Sequence, residues 1–124
     1  MAINAKNYNP EIMANGLPGF LSGTSTVAGG SATINFPCGI ATTGALTTGT
    51  AAATTFFLVN DHISTTSQVL ATIIGGTNTG GLPAIGQCTI GVAGSATISI
   101  VNADSTPAGS AFNGTLKVAF IVLN

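Results

Sequence analysis

The chain has 124 residues, about one domain's worth, and only 4% of them are charged, against roughly a quarter in an average globular protein. Two cations and three carboxylates leave a net charge of −1. So few cations cannot neutralise a run of phosphates or hold an anionic bilayer surface, and nucleic-acid and membrane-surface partners are excluded. Disordered chains are charged and poor in β-branched residues, whereas this one is rich in Thr, Val and Ile. With Trp absent and good helix formers other than Ala scarce, the composition points to strands and turns.

Residues 1–23 form a segment apart. They hold Lys6, Glu11, both Met and the only Tyr, and show no alternation of apolar and polar positions. Pro10 and Gly16 could bracket a single helical turn over Pro10 to Asn15, which is too short to be stable alone. A solvated tail would not carry Ile3, Tyr8, Ile12, Met13, Leu17, Phe20 and Leu21, so the segment reads as an arm ordered by something it touches. The start lacks a signal peptide's apolar core, which leads us to expect synthesis in the cytoplasm.

From Thr24 onward, runs of β-formers alternate with turn signals. The expected strands are Ser25–Ala28, Ala32–Phe36, Ala53–Val59, Gln68–Ile74, Gln87–Val92, Ala96–Val101 and Leu116–Leu123, with an eighth within Ile40–Thr47. Gly29-Gly30, Gly75-Gly76, Gly80-Gly81, Gly94 and Asn113-Gly114 punctuate them. Short strands at this spacing fit a sandwich or barrel. Val27-Ala28-Gly29-Gly30-Ser31-Ala32-Thr33-Ile34 is echoed by Val92-Ala93-Gly94-Ser95-Ala96-Thr97-Ile98, the same Gly turn leading into a strand twice. Asn113-Gly114-Thr115 fits a glycosylation acceptor but reads as a turn.

The last strand is apolar on both faces toward its end: Leu116, Val118, Phe120 and Val122 alternate with Lys117, Ala119, Ile121 and Leu123. Phe56 and Phe57 likewise point to opposite faces. A small sandwich has one core, so outward apolar residues must meet another subunit. This predicts a closed homo-oligomer with Phe57, Lys117, Ile121 and Leu123 at the subunit interface.

Nothing in the sequence assembles an active site. Asp61, His62 and Ser64 are an acid, a base and a hydroxyl, but neighbours on an extended chain face opposite ways, and no Gly-x-Ser-x-Gly elbow occurs. Glycoside hydrolysis needs two convergent carboxylates, and one of the three here, Glu11, lies in the arm. Asn102-Ala103-Asp104-Ser105-Thr106 offers alternating oxygens that could touch calcium, yet one carboxylate is little charge for such a site, and a turn before Pro107 is the plainer reading. Cys38 and Cys88 lack partners at metal-ligand spacing, and a single His leaves zinc without ligands. They read as packed small side chains, with a disulfide as the alternative. No catalytic residue, metal or cofactor is expected.

The second half resembles small jelly-roll domains of tailed-phage virions: capsid cement (decoration) proteins and head-fibre or tail-fibre knobs. The similarity rests on Ala53-Thr54-Thr55-Phe56-Phe57-Leu58-Val59, Ser67-Gln68-Val69-Leu70-Ala71-Thr72, Ala93-Gly94-Ser95-Ala96-Thr97-Ile98-Ser99-Ile100 and Val118-Ala119-Phe120-Ile121-Val122. It spans roughly residues 24–124. Such knobs often show a Gly-Ser-aromatic-Thr-Ile strand and a final apolar strand with a Trp; here Ala96 holds the aromatic position and Phe120 lies near the Trp. The resemblance implies an antiparallel eight-stranded jelly roll, assembled as a trimer on a virion surface and without catalytic residues. A cement protein would bind the major capsid protein, with residues 1–23 as the capsid-binding arm through Ile3, Lys6, Tyr8, Glu11, Ile12, Met13, Leu17 and Phe20. A fibre knob would bind a receptor or glycan but would follow a long shaft, and only 23 residues precede the expected sandwich. A pilin or surface-layer subunit is a third reading, which would usually carry a secretion signal.

Overall fold

A computed structural model describes residues 21–106 and 108–124. The described residues form eight strands and no helix: β1 Ser22–Thr26, β2 Ser31–Thr33, β3 Cys38–Thr42, β4 Ala53–Val59, β5 Gln68–Gly76, β6 Pro83–Val92, β7 Ser95–Asn102 and β8 Leu116–Leu123. Each of the eight expected strands has a counterpart, but β1, β2 and β3 each begin earlier and end sooner than the sequence pattern placed them. The expected arm and its helical turn lie outside the described residues, apart from Leu21 to Gly23, where β1 already begins.

The strands make two four-stranded sheets, ordered β1-β3-β8-β5 and β2-β4-β7-β6. The sheets are mixed, which corrects the expectation of a purely antiparallel fold: β1 pairs β3 and β2 pairs β4 in parallel. The reason lies in how the chain travels. It changes sheets at each of the first five connections, and every connection reverses its direction. Odd-numbered strands therefore run one way and even-numbered strands the other. Even β8 lies between odd β3 and β5, and odd β7 between even β4 and β6, so these contacts are antiparallel. At the β1 and β2 edges, strands of equal parity are neighbours, and there the pairing must be parallel.

Among the described residues, only β6 and β7 form a hairpin, closed through the Val92–Ser95 pair at Gly94. The echoing Gly29-Gly30 turn is closed by the Ala28–Ser31 bridge, but it carries the chain from one sheet to the other. Similar turn chemistry thus serves two topological purposes. The expected β6 began at Gln87 because Gly86 interrupts the strand pattern. In the structure, β6 starts at Pro83 and its register shifts between Ile85 and Gln87, so Gly86 marks a bulge rather than a strand end. β5 likewise runs past Ile74, through a register shift, to Gly76. Gly76 has φ +131°, and a Cβ there would collide with the Thr115 carbonyl, so β5 can lie against that segment only with glycine.

Both sheets turn alternate residues into one shared core, a sandwich-like arrangement. Phe56, Leu58, Ile98 and Ile100 come from one sheet and Ala41, Val118, Phe120 and Val122 from the other. Ile63 and Phe112, from connecting segments, join the same cluster. Each large side chain buried this way contributes about 1.5–3 kcal/mol, so the core needs no charged residue to hold it.

Candidate assembly surfaces

Asp61 and His62 follow β4 in a turn, not on extended chain. This corrects the expectation that they face apart: Asp61 Oδ1 and His62 Nε2 are 3.6 Å apart. Both side chains are largely open to water, where such a pair contributes little. Ser64 does not complete a triad. Its hydroxyl hydrogen-bonds with those of Thr66 at 3.1 Å and Ser67 at 3.0 Å. Its backbone N–H donates to Ser67 Oγ at 2.8 Å, so the three hydroxyl residues close their own small loop.

The Asn102–Thr106 segment spends its oxygens on backbone N–H groups. Asn102 is fully buried; its Oδ1 accepts from the N–H of Leu82 at 3.0 Å and of Asp104 at 3.2 Å. Its Nδ2 donates to the carbonyls of Thr48 at 3.2 Å and Ser110 at 2.8 Å. Asp104 Oδ1 accepts from the hydroxyl of Thr106 at 2.8 Å and its N–H at 3.1 Å, and Oδ2 accepts from Ser110 N–H at 3.2 Å. The Thr106 hydroxyl, then the Thr106 and Ser110 N–H groups, hold the Asp104 carboxyl below its ordinary value. The segment is thereby a side-chain-knitted turn. Asn60, also fully buried, repeats the device after β4: Nδ2 donates to Phe36 O at 2.7 Å and Oδ1 accepts from His62 N–H at 2.8 Å. The sequence reading missed Asn60; its position next to a strand end, like that of Asn102, was the available signal.

Cys38 and Cys88 are both free thiols. Cys38 pairs with Ile121 on the outer face of its sheet, whereas Cys88 pairs with fully buried Ile98 and faces inward from the other sheet. A sheet's thickness separates the two sulfurs, beyond the reach of a disulfide. Burial pushes the Cys88 thiol above its ordinary pKa.

Exposed large apolar side chains lie on both outer faces of the sandwich, and Leu21, Phe36 and Leu82 are further ones outside the strands. On the first sheet, Ser22, Cys38, Ile121 and Leu70 make a cross-strand row from the β1 edge to the β5 edge, followed by the row Thr24, Ile40, Ala119 and Thr72. Leu70 and Leu123 are about half exposed, and a shallow depression between β5 and β8 is lined by Leu70, Ala71, Thr72, Ala119, Phe120 and Ile121. Lys117, beside Thr42, is the single charge on this face among the described residues. On the second sheet, Phe57 is 53% exposed and flanked by Ser31 and Thr97, and the next row holds Thr33, Val59, Ser95 and Val92. Among the described residues, no charged residue lies on that face.

The four residues expected at a subunit interface therefore divide: Lys117, Ile121 and Leu123 on one outer face, Phe57 on the opposite one. The sequence reading overlooked Leu70 and Ile40 as neighbours of Ile121, although the alternation in Gln68–Ile74 already placed Leu70 and Thr72 on one side. The expected arm residues Ile3, Lys6, Tyr8, Glu11, Ile12, Met13, Leu17 and Phe20 lie outside the described residues. No protein-family model matches the chain, and comparison with curated proteins and with solved structures finds no match.

Proposed function

We propose that the chain is a non-catalytic structural subunit of a virion surface, a cement protein that binds the outer capsid as a homotrimer. The observation that carries this reading is the pair of outer sheet faces: large apolar side chains lie open on both, with Lys117 the single charge among their described residues. A lone soluble domain covers itself with charge, whereas a subunit designed for burial does not. The strand alternation supports the jelly-roll part of the proposal. From β3 to β8 the orders β3-β8-β5 and β4-β7-β6 are compatible with a shortened jelly roll, to which β1 and β2 would be edge additions.

The outer faces of stacked sheets look in nearly opposite directions. Self-contact through both would stack copies into an open row, whereas a trimer is closed. In this reading one face serves the trimer and the other a different contact, with the N-terminal arm reaching the major capsid protein. Immunogold labelling of intact virions with an antibody to the chain tests it. Label spread over the shell supports the cement protein; label confined to fibre tips favours the knob, with Phe57 as a stacking surface for a sugar; unlabelled virions contradict both.

A further inference from the structure

We propose that Asn113 is a latent deamidation site, pinned in the folded chain and reactive only when the loop between β5 and β6 releases it. This goes beyond the virion reading and does not depend on it.

The chemistry follows from the Asn113-Gly114 pair. Glycine has no Cβ to hinder its own backbone nitrogen, so an asparagine before it cyclises readily. The Gly114 nitrogen attacks Asn113 Cγ and loses its proton to water. The new N–C bond forms, the Cγ–Nδ2 bond breaks, and the nitrogen leaves, reprotonated, as ammonia. Water then opens the cyclic imide at either carbonyl, giving aspartate or isoaspartate. Asn113 is exposed to that water.

The fold opposes the first step from both sides. Asn113 Oδ1 accepts from the N–H of Thr79 at 2.8 Å and of Gly80 at 3.1 Å, and from the Thr79 hydroxyl at 3.3 Å. Nδ2 donates to Thr79 Oγ1 at 2.9 Å. Asn113 N–H donates to Asn78 Oδ1 at 2.8 Å, and Asn78 Nδ2 donates to the Gly80 carbonyl at 2.7 Å, so the loop holds itself and Asn113 together. Gly114 is buried, its carbonyl accepts from Leu46 N–H at 2.9 Å, and a Cβ on it would lie 2.8 Å from Asn78 N. Donors on Oδ1 also polarise Cγ, as an oxyanion hole does. Pinning outweighs that effect, because activation counts only once the reacting atoms meet. The folded chain therefore reacts through its open form, at the unfolded rate multiplied by the open fraction. Isoaspartate would add a methylene to the backbone three residues before β8 and disturb the pairing of Thr115 with Thr77. The site thus keeps a permanent record of opening.

The test incubates the full chain at mildly alkaline pH, in buffer and in denaturing urea, and follows peptide mass and isoaspartate at Asn113 with time. In urea, Asn15, also followed by glycine, sets the reference rate. The expected result is conversion of Asn113 in urea at about the Asn15 rate, and at least about tenfold slower in buffer. Asn78→Ala, which removes two of the loop's bonds, should raise the rate in buffer and leave the rate in urea unchanged. Circular dichroism on the same samples checks that the variant is folded; Thr79→Ala, which deletes the hydroxyl bonded to both carboxamide atoms, replaces it otherwise. Equal rates in buffer and urea for the unmodified sequence would overturn the proposal, as would a folded variant that reacts in buffer no faster than the unmodified sequence.

Discussion

Asn60 and Asn102 each stand just where a strand gives way to a loop, and each is buried with its amide satisfied by backbone groups. Removing such a side chain strands the groups it served. Asn102→Ala leaves two N–H donors and two carbonyls without their partner, and we expect a loss of about 3 kcal/mol. In a domain of this size that lowers Tm by roughly 10–20 °C; a shift of under 2 °C would contradict the assignment. Asp104 makes a pH prediction. Its folded pKa is depressed, so its contribution is present above the ordinary value of 3.8 and is lost as pH falls through the lower folded pKa. An NMR titration should place the Asp104 midpoint below 3.8, and Asp104→Asn should behave like the acidified protein; a midpoint at or above 3.8 would contradict the hydrogen bonding. Because Cys38 and Cys88 point away from a common space, reductant should leave Tm unchanged. A bridge closing a loop of about 50 residues would be worth roughly 4 kcal/mol, so a fall of ten degrees on reduction would reject two free thiols.

At the scale of the elements, the strands were readable because each advertises itself locally. Ala53–Val59 and Leu116–Leu123 begin and end where alternation and turn residues place them. Pairing was not readable. The parallel edges follow from the parity of sheet changes along the chain, and no residue records which sheet its strand joins. Bulges were read as ends, since Gly86 looks the same in either role. For the surfaces, alternation showed that Phe57 and Ile121 face outward, but only the sheet order shows that they face opposite ways. Two glycines of the β6–β7 hairpin separate backbone strain from mere smallness. Gly94 has φ +90°, and Gly94→Ala should cost about 1–2 kcal/mol. Gly91 has open space around a would-be Cβ, so Gly91→Ala should be neutral or slightly stabilising. Equal effects on chemical denaturation midpoints would contradict this hairpin geometry.

Among the described residues of the whole molecule, a core without charges lies between outer faces that carry a single one, Lys117. The proposed assembly through such faces would rest on apolar burial and not on ion pairs, so the oligomer should withstand high salt as well as low. On the Phe57 face, which we propose serves the trimer, a carboxylate should have the opposite effect: in Phe57→Asp it would be buried without a partner, at a cost of several kcal/mol. Copies should separate while the core, which Phe57 does not enter, keeps its Tm. The most direct measurement is the mass of the purified full chain by light scattering across a range of concentration and salt. The expected result is three chains of 12.1 kDa per particle at every salt concentration, and single chains for Phe57→Asp. A wild-type protein that stays monomeric at all concentrations would contradict it.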